Sequence, residues 1–164
     1  MNSARDLFIT GLKNAHAMER QAQEMLERQA DRMEEYPTLR SKVREHLAET
    51  KQQLARLESC LEDLGSSAST IKDAALAFGA NVAAMGHAMA GDEVLKNTFA
   101  SSALEHYEIA AYKSLLAMAD AAGVAVQELL QQSLREEERM AEWVDNNVQS
   151  LTMEYLRKSE LAAA

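Results

Sequence analysis

The chain has 164 residues, 47% of them apolar and 5% aromatic, and carries a formal net charge of −9. That length fits one domain, residues 1–164, with a sizeable core. The acidic balance repels phosphate backbones and anionic lipid, so neither nucleic acid nor a membrane surface is an expected partner.

Ala, Leu, Met, Glu, Gln, Lys and Arg dominate the composition, which predicts an all-α chain. The first helix is predicted from Ser3, an N-cap with Asp6 as its capping-box partner, to about Glu35. Tyr36-Pro37 breaks the pattern, and Pro37 suits the first turn of a second helix. That helix runs to Leu64 and stops at Gly65, a C-cap signal. Residues 66–91 are rich in small residues and divided by glycines, and are read as a crossover with one or two short helices. Its uncharged run, Ala74 to Ala90, is a little short for a membrane span and is read as buried or interfacial. A third helix begins at Asp92 and ends near Gly123. A fourth runs from about Ala125 to Ser159, with the alanine tail expected to fray. The polar start MNSARDLF does not read as a signal peptide. Cys60, the one cysteine, fits a reducing, cytoplasmic compartment.

Short turns within each helix pair and a long connection between the pairs give the connectivity of a ferritin-like four-helix bundle. The core seams follow from alternating steps of four and three residues. Helix one contributes Phe8, Leu12, Ala15, Glu19, Ala22, Leu26 and Met33. Helix two contributes Val43, Leu47, Thr50, Leu54, Leu57, Leu61 and Leu64. Helix three contributes Leu104, Glu108, Ala111, Leu115 and Met118. Helix four contributes Leu134, Glu137, Ala141, Val144, Val148, Leu151 and Tyr155.

Three of these seams carry a glutamate where an aliphatic side chain belongs, and helix two has Thr50 flanked by His46 and Glu49. Each interruption is near mid-helix, so antiparallel packing brings them to one level. Clustered buried carboxylates raise one another's pKa and are costly. A divalent cation removes that conflict, and a carboxylate-rich set with a few imidazoles suits iron or manganese and also admits zinc. The candidate ligands are Glu19, His46, Glu49, Glu105, Glu108 and Glu137. Glu105 is one turn before Glu108 and reaches the same side. The interval from Glu19 to Glu49 equals that from Glu108 to Glu138, a hint of a duplicated helix pair.

Each residue also has a plainer explanation. Glu19 can snorkel from the seam edge. Glu136, Glu137 and Glu138 can form a solvated face; at least two of them are expected to point outward, with Glu137 in seam phase and Glu138 the fallback. His46 is equally a hydrogen-bonded filler. His16 and His87 read as structural or surface residues. His106, Tyr107 and Tyr112 are candidates for supporting the ligands. Trp143 reads as a core or interface anchor, and the methionines as packing material.

The chain resembles the YciE/YciF family of bacterial ferritin-like stress proteins, most closely the YciE branch. The motifs that carry the resemblance are HAMERQA from His16, YPTLR from Tyr36, HLAETKQ from His46, EHYEIA from Glu105 and EEERMAEW from Glu136. The resemblance implies a cytoplasmic, stress-linked, often dimeric bundle, with Glu19, Glu49, Glu105, Glu108 and Glu137 as metal residues. The sequence departs from the E-x-x-H pattern of ferritin-like sites. Gln52 stands three residues after Glu49 and Met140 three after Glu137; Lys51 and Ala141 replace further ligand-capable positions of relatives. Two functions stay open. One is a mono- or di-metal centre that oxidises ferrous iron or handles peroxide. The other is a metal-free bundle that acts as a dimer or binds a protein partner. A storage-cage subunit is a third, weaker reading.

Overall fold

A computed structural model describes residues 3–66 and 93–163. Four helices carry the described chain: α1 (Ala4–Arg32), α2 (Pro37–Asp63), α3 (Glu93–Ala122) and α4 (Gln127–Ala163). The predicted boundaries hold to within a few residues at most ends. The exception is the C-terminus, where α4 continues to Ala163 instead of fraying after Ser159. The expected short helices of the crossover, and His87 with them, lie outside the described residues.

Local chemistry sets the ends. Ser3 Oγ accepts from the Asp6 amide at 3.1 Å, and the Asp6 carboxylate accepts from the Ser3 amide at 3.0 Å, which completes the capping box. Pro37 opens α2 where its missing N–H costs nothing. At the ends of α2 and α3, Gly65 and Gly123 adopt φ of 71° and 64°. Each is the left-handed residue of a Schellman motif. The Ser66 amide reaches Leu61 O at 2.9 Å, and the Val124 amide reaches Ala119 O at 3.0 Å.

Helix α1 packs on α2 and α3, and α4 packs on α3 and α2. The core falls into two apolar clusters. One joins the start of α1 (Phe8, Leu12) to the ends of α2 (Leu57, Leu61) and α3 (Leu115, Ala119) and the start of α4 (Leu130, Leu134). The other joins the end of α1 (Leu26, Ala30) to the starts of α2 (Leu39, Val43) and α3 (Val94) and the distal part of α4 (Leu151, Tyr155). So α2 and α3 run in the same direction, and the chain between them links opposite ends of the bundle. This is the ferritin-like connectivity. Among the described residues, no helix is long and apolar enough to cross a membrane.

Candidate metal centre

Between the two apolar clusters lies a polar layer with essentially no solvent exposure: Glu19, His46, Thr50, Gln53, Glu105, Glu108 and Glu137. Helix α2 supplies its inner stripe at positions i, i+4 and i+7: His46, Thr50 and Gln53, all on one face. The Thr50 hydroxyl donates back to His46 O at 3.1 Å and is satisfied within the helix. Helix α3 supplies Glu105 and Glu108, one turn apart. Helix α4 supplies Glu137.

Four of these groups converge. His46, Glu105, Glu108 and Glu137 each present one ligand atom, and those atoms all lie within 4.8 Å of one another. His46 Nε2 sits 3.2 Å from Glu105 Oε2 and 3.5 Å from Glu137 Oε2. Its Nδ1 faces the other way, 3.2 Å from Glu49 Oε2. Gln53 holds Glu137 by donating Nε2 to Glu137 Oε1, and also donates to Glu136 Oε2 at 3.1 Å. On the α1 side, the Tyr112 hydroxyl donates to Glu19 Oε1 at 2.6 Å.

The charge balance is one-sided. Four buried carboxylates meet one buried imidazole. Among the described residues the nearest guanidinium groups are engaged elsewhere, Arg56 with Glu136 and Arg139 with Glu49. Burial pushes Glu19 up to about 8 despite the hydrogen bond from Tyr112. Burial and the neighbouring carboxylates raise Glu108 and Glu137 well above the usual range. Burial opposes charge on His46, but Glu105, Glu49 and Glu137 outweigh it and raise its pKa well above that of a free imidazole. Burial and Glu19 likewise raise Tyr112.

Three carboxylate oxygens in the cluster, Glu105 Oε2, Glu108 Oε1 and Glu137 Oε2, make no well-formed hydrogen bond, although His46 Nε2 stands within ion-pair reach of the first and the third. Buried acceptors without donors are rare and costly, and a cation at their midpoint would satisfy all three. Three carboxylates and one imidazole form a hard oxygen-rich set suited to manganese or iron, with zinc admissible. The residues fit such a cation.

Of the six candidate ligands, four therefore come together. Glu19 is in the layer but outside the converging group, occupied by Tyr112. Glu49 departs further from expectation. Three residues past His46 is a step back of about 60° around the helix axis, which carries Glu49 to the rim. There it is 19% exposed and bound by Arg139 at 2.8 Å. Burial would raise its pKa, but the hydrogen bonds from His46 and Arg139 hold it below the usual carboxylate value.

Other expectations need correction. Only Glu138 of the 136–138 run points outward, to Lys113 at 3.1 Å. Glu136 is buried and takes a bidentate pair from Arg56 at 2.7 and 2.8 Å. Successive residues differ by about 100°, which leaves room for two of three neighbours on the inner half. His106 and Tyr107 are exposed, so neither supports the cluster. Two readings agree with the structure: His16 is structural, buried against Glu58 at 2.9 Å, and Trp143 anchors on the distal apolar cluster, partly buried. On α3 the inner stripe is Glu105, Glu108, Tyr112, Leu115 and Ala119, with Ala111 and Met118 half-buried. Sequence reading missed Gln53, Arg56 and Glu136; the i, i+4, i+7 stripe from His46 was the available signal for Gln53. Gln52, where E-x-x-H would place histidine, faces solvent.

A family model described as a domain of unknown function, DUF892, matches residues 3–157. Among solved structures, a protein from Xanthomonas campestris is 31% identical, with a TM-score of 0.79 over 96% of this chain and 98% of that one. YcfI from Rhodopseudomonas palustris is 25% identical, with a TM-score of 0.69 over 88% and 94%. The E. coli stress protein YciF is 22% identical, with a TM-score of 0.73 over 93% and 98%, a likeness of fold.

Proposed function

The chain belongs to the DUF892 family, and on that premise we propose that it is a ferritin-like stress-response protein holding one divalent cation, iron or manganese, between α2, α3 and α4. The observation that carries this is the convergence of Glu105, Glu108 and Glu137 on His46 in a buried layer, with the carboxylate oxygens that face inward lacking well-formed hydrogen bonds. Within the family, the motifs around His16, His46 and Glu136 support the YciE branch. The stress role is argued from the likeness to YciF.

When bound, iron or manganese would supply one-electron redox capacity, suited to oxidation of ferrous iron with peroxide as the electron acceptor, two ferrous ions supplying the two electrons that reduce one peroxide to water. The chain's own residues do the rest. His46 offers Nε2, Glu105 and Glu108 offer carboxylates one turn apart, and Glu137 offers the oxygen that Gln53 leaves free. The flanking apolar clusters exclude water and strengthen each electrostatic interaction inside. Among the described residues one group of four donors converges, which supports one cation rather than two. Homodimerisation is part of the proposal, with Phe99 and Tyr107 exposed on α3 as apolar surface for it. A cytoplasmic setting rests on the lone buried Cys60.

The test is metal analysis of protein purified without chelator, then titration with ferrous iron, manganese and zinc ions. One equivalent per chain, lost in Glu108→Gln, supports the proposal. Failure of wild type to bind any of the three removes it. A second reading has one observation in its favour: among the described residues no second histidine reaches the layer, since Gln52 points outward and Met140 fills the core. The layer is then a metal-free network in which imidazolium and protonated carboxylates set helix register. On that reading Glu108→Gln raises thermal stability and no cation binds.

A further inference from the structure

His46 uses its two ring nitrogens differently. Nε2 points at Glu105 and Glu137 in the cluster, at 3.2 and 3.5 Å. Nδ1 points away from it, at Glu49 Oε2, 3.2 Å distant. Glu49 divides its oxygens in the same way: Oε2 turns inward to His46, and Oε1 accepts from Arg139 Nη2 at 2.8 Å. The three groups form a line from solvent to the cluster, with exposure falling from 56% at Arg139 through 19% at Glu49 to 1% at His46.

We infer that Glu49 is a positioning residue for His46: it accepts the Nδ1 proton, fixes the ring so that Nε2 faces the cluster, and is itself pinned by Arg139. The inference rests on the reading of His46 as a ligand of a divalent cation. A ring nitrogen that binds a cation must carry no proton, so the remaining proton belongs on the other nitrogen. A carboxylate that accepts it fixes the tautomer and makes the ring a better donor. Spacing alone does not create such a pair. Helix α1 has the same H-x-x-E interval, yet His16 turns to Glu58 while Glu19 turns to Tyr112. On α2 the pair does form, and there Arg139 of the adjacent α4 donates to the other oxygen of Glu49.

The experiment titrates manganese ion into full-length wild type, Glu49→Ala, Glu49→Gln, Arg139→Gln and His46→Ala. Glu49→Ala is expected to weaken binding by about 10–100-fold with unchanged stoichiometry. Glu49→Gln recovers part of the loss, because its amide oxygen still accepts from Nδ1. Arg139→Gln weakens binding less than Glu49→Ala. In the same proteins without metal, a 1H–15N correlation spectrum reads the His46 Nδ1–H directly. Its exchange-protected signal is expected in wild type and lost in Glu49→Ala. Wild-type affinity in Glu49→Ala, with the signal retained, overturns the inference. So does abolition of binding in Glu49→Ala to the extent seen in His46→Ala, which would make Glu49 a ligand. If wild type binds no manganese, the proposed function fails separately, and survival of the Nδ1–H signal in Glu49→Ala then overturns the positioning role on its own.

Discussion

The Tyr112 hydroxyl donates to Glu19 Oε1 across 2.6 Å, linking α3 to α1 inside the bundle. Both side chains are fully buried, so neither can exchange its partner for water. Tyr112→Phe is therefore expected to destabilise the fold by about 1–3 kcal/mol, the cost of leaving a buried acceptor unsatisfied. It also removes an interaction that lowers the Glu19 pKa, so the carboxyl should titrate at still higher pH. Urea denaturation and infrared titration of the carboxyl band measure the two effects.

Without metal, stability should fall as pH rises from about 5 to about 8. Glu19 has an ordinary value of 4.5 and rises to about 8 on folding. In that window the folded chain keeps a proton that the unfolded chain has released, so rising pH favours unfolding. His46 acts in the same direction. Its contribution is complete below its ordinary value of 6.5 and is lost as pH climbs through the raised folded value. Glu49 is the opposite case: its lowered value contributes above 4.5 and is lost only as acid protonates it. Urea midpoints at the two pH values, in chelator, check the trend, and Glu19→Gln should flatten it. A midpoint that rises with pH would contradict the buried-carboxyl account.

Adding manganese should offset this loss of stability. A cation bound only by the folded chain stabilises it by about 2.7 kcal/mol at a hundredfold excess over its dissociation constant. Wild type should show the corresponding rise in thermal midpoint, and Glu108→Gln and Glu137→Gln should not. An equal rise in all three proteins would place the cation elsewhere.

The Arg56–Glu136 pair is buried between α2 and α4, with side-chain exposures of 10% and 6%. Arg56→Ala should cost up to about 3 kcal/mol by leaving a buried carboxylate with only the amide donors Gln53 and Gln132. Adding Glu136→Leu to Arg56→Met should recover most of that loss, since no charge is then left inside. A double-mutant cycle on chemical denaturation reads the coupling.

The architecture was largely legible in the sequence. Ser3 with Asp6, Pro37, Gly65 and Gly123 mark helix ends through local chemistry that needs no tertiary partner. The i, i+3 and i+4 spacing of apolar residues predicted most of the α1 core, with Phe8, Leu12, Ala15, Ala22 and Leu26 buried as expected, but it left out Met18 and Ala30, which belong one to each apolar cluster. The mid-helix glutamates were visible as interruptions in those seams, and Glu137 was singled out by phase over Glu138.

What remained undecided was rotation about each helix axis and the choice of partner across it. A shift of one position on α3 moves Tyr112 inward and Tyr107 to solvent, and both positions suit an amphipathic pattern. Glu49 and Gln53 are both polar residues beside a polar seam position. Only the approach of α4 sends one to Arg139 at the rim and the other to Glu137 in the core. Sequence periodicity thus determined that acidic groups would gather at mid-height, because repeat spacing is a property of one helix. Which of them converge on His46 was decided by the packing of neighbouring helices, because distance and desolvation between side chains exist only once those helices meet.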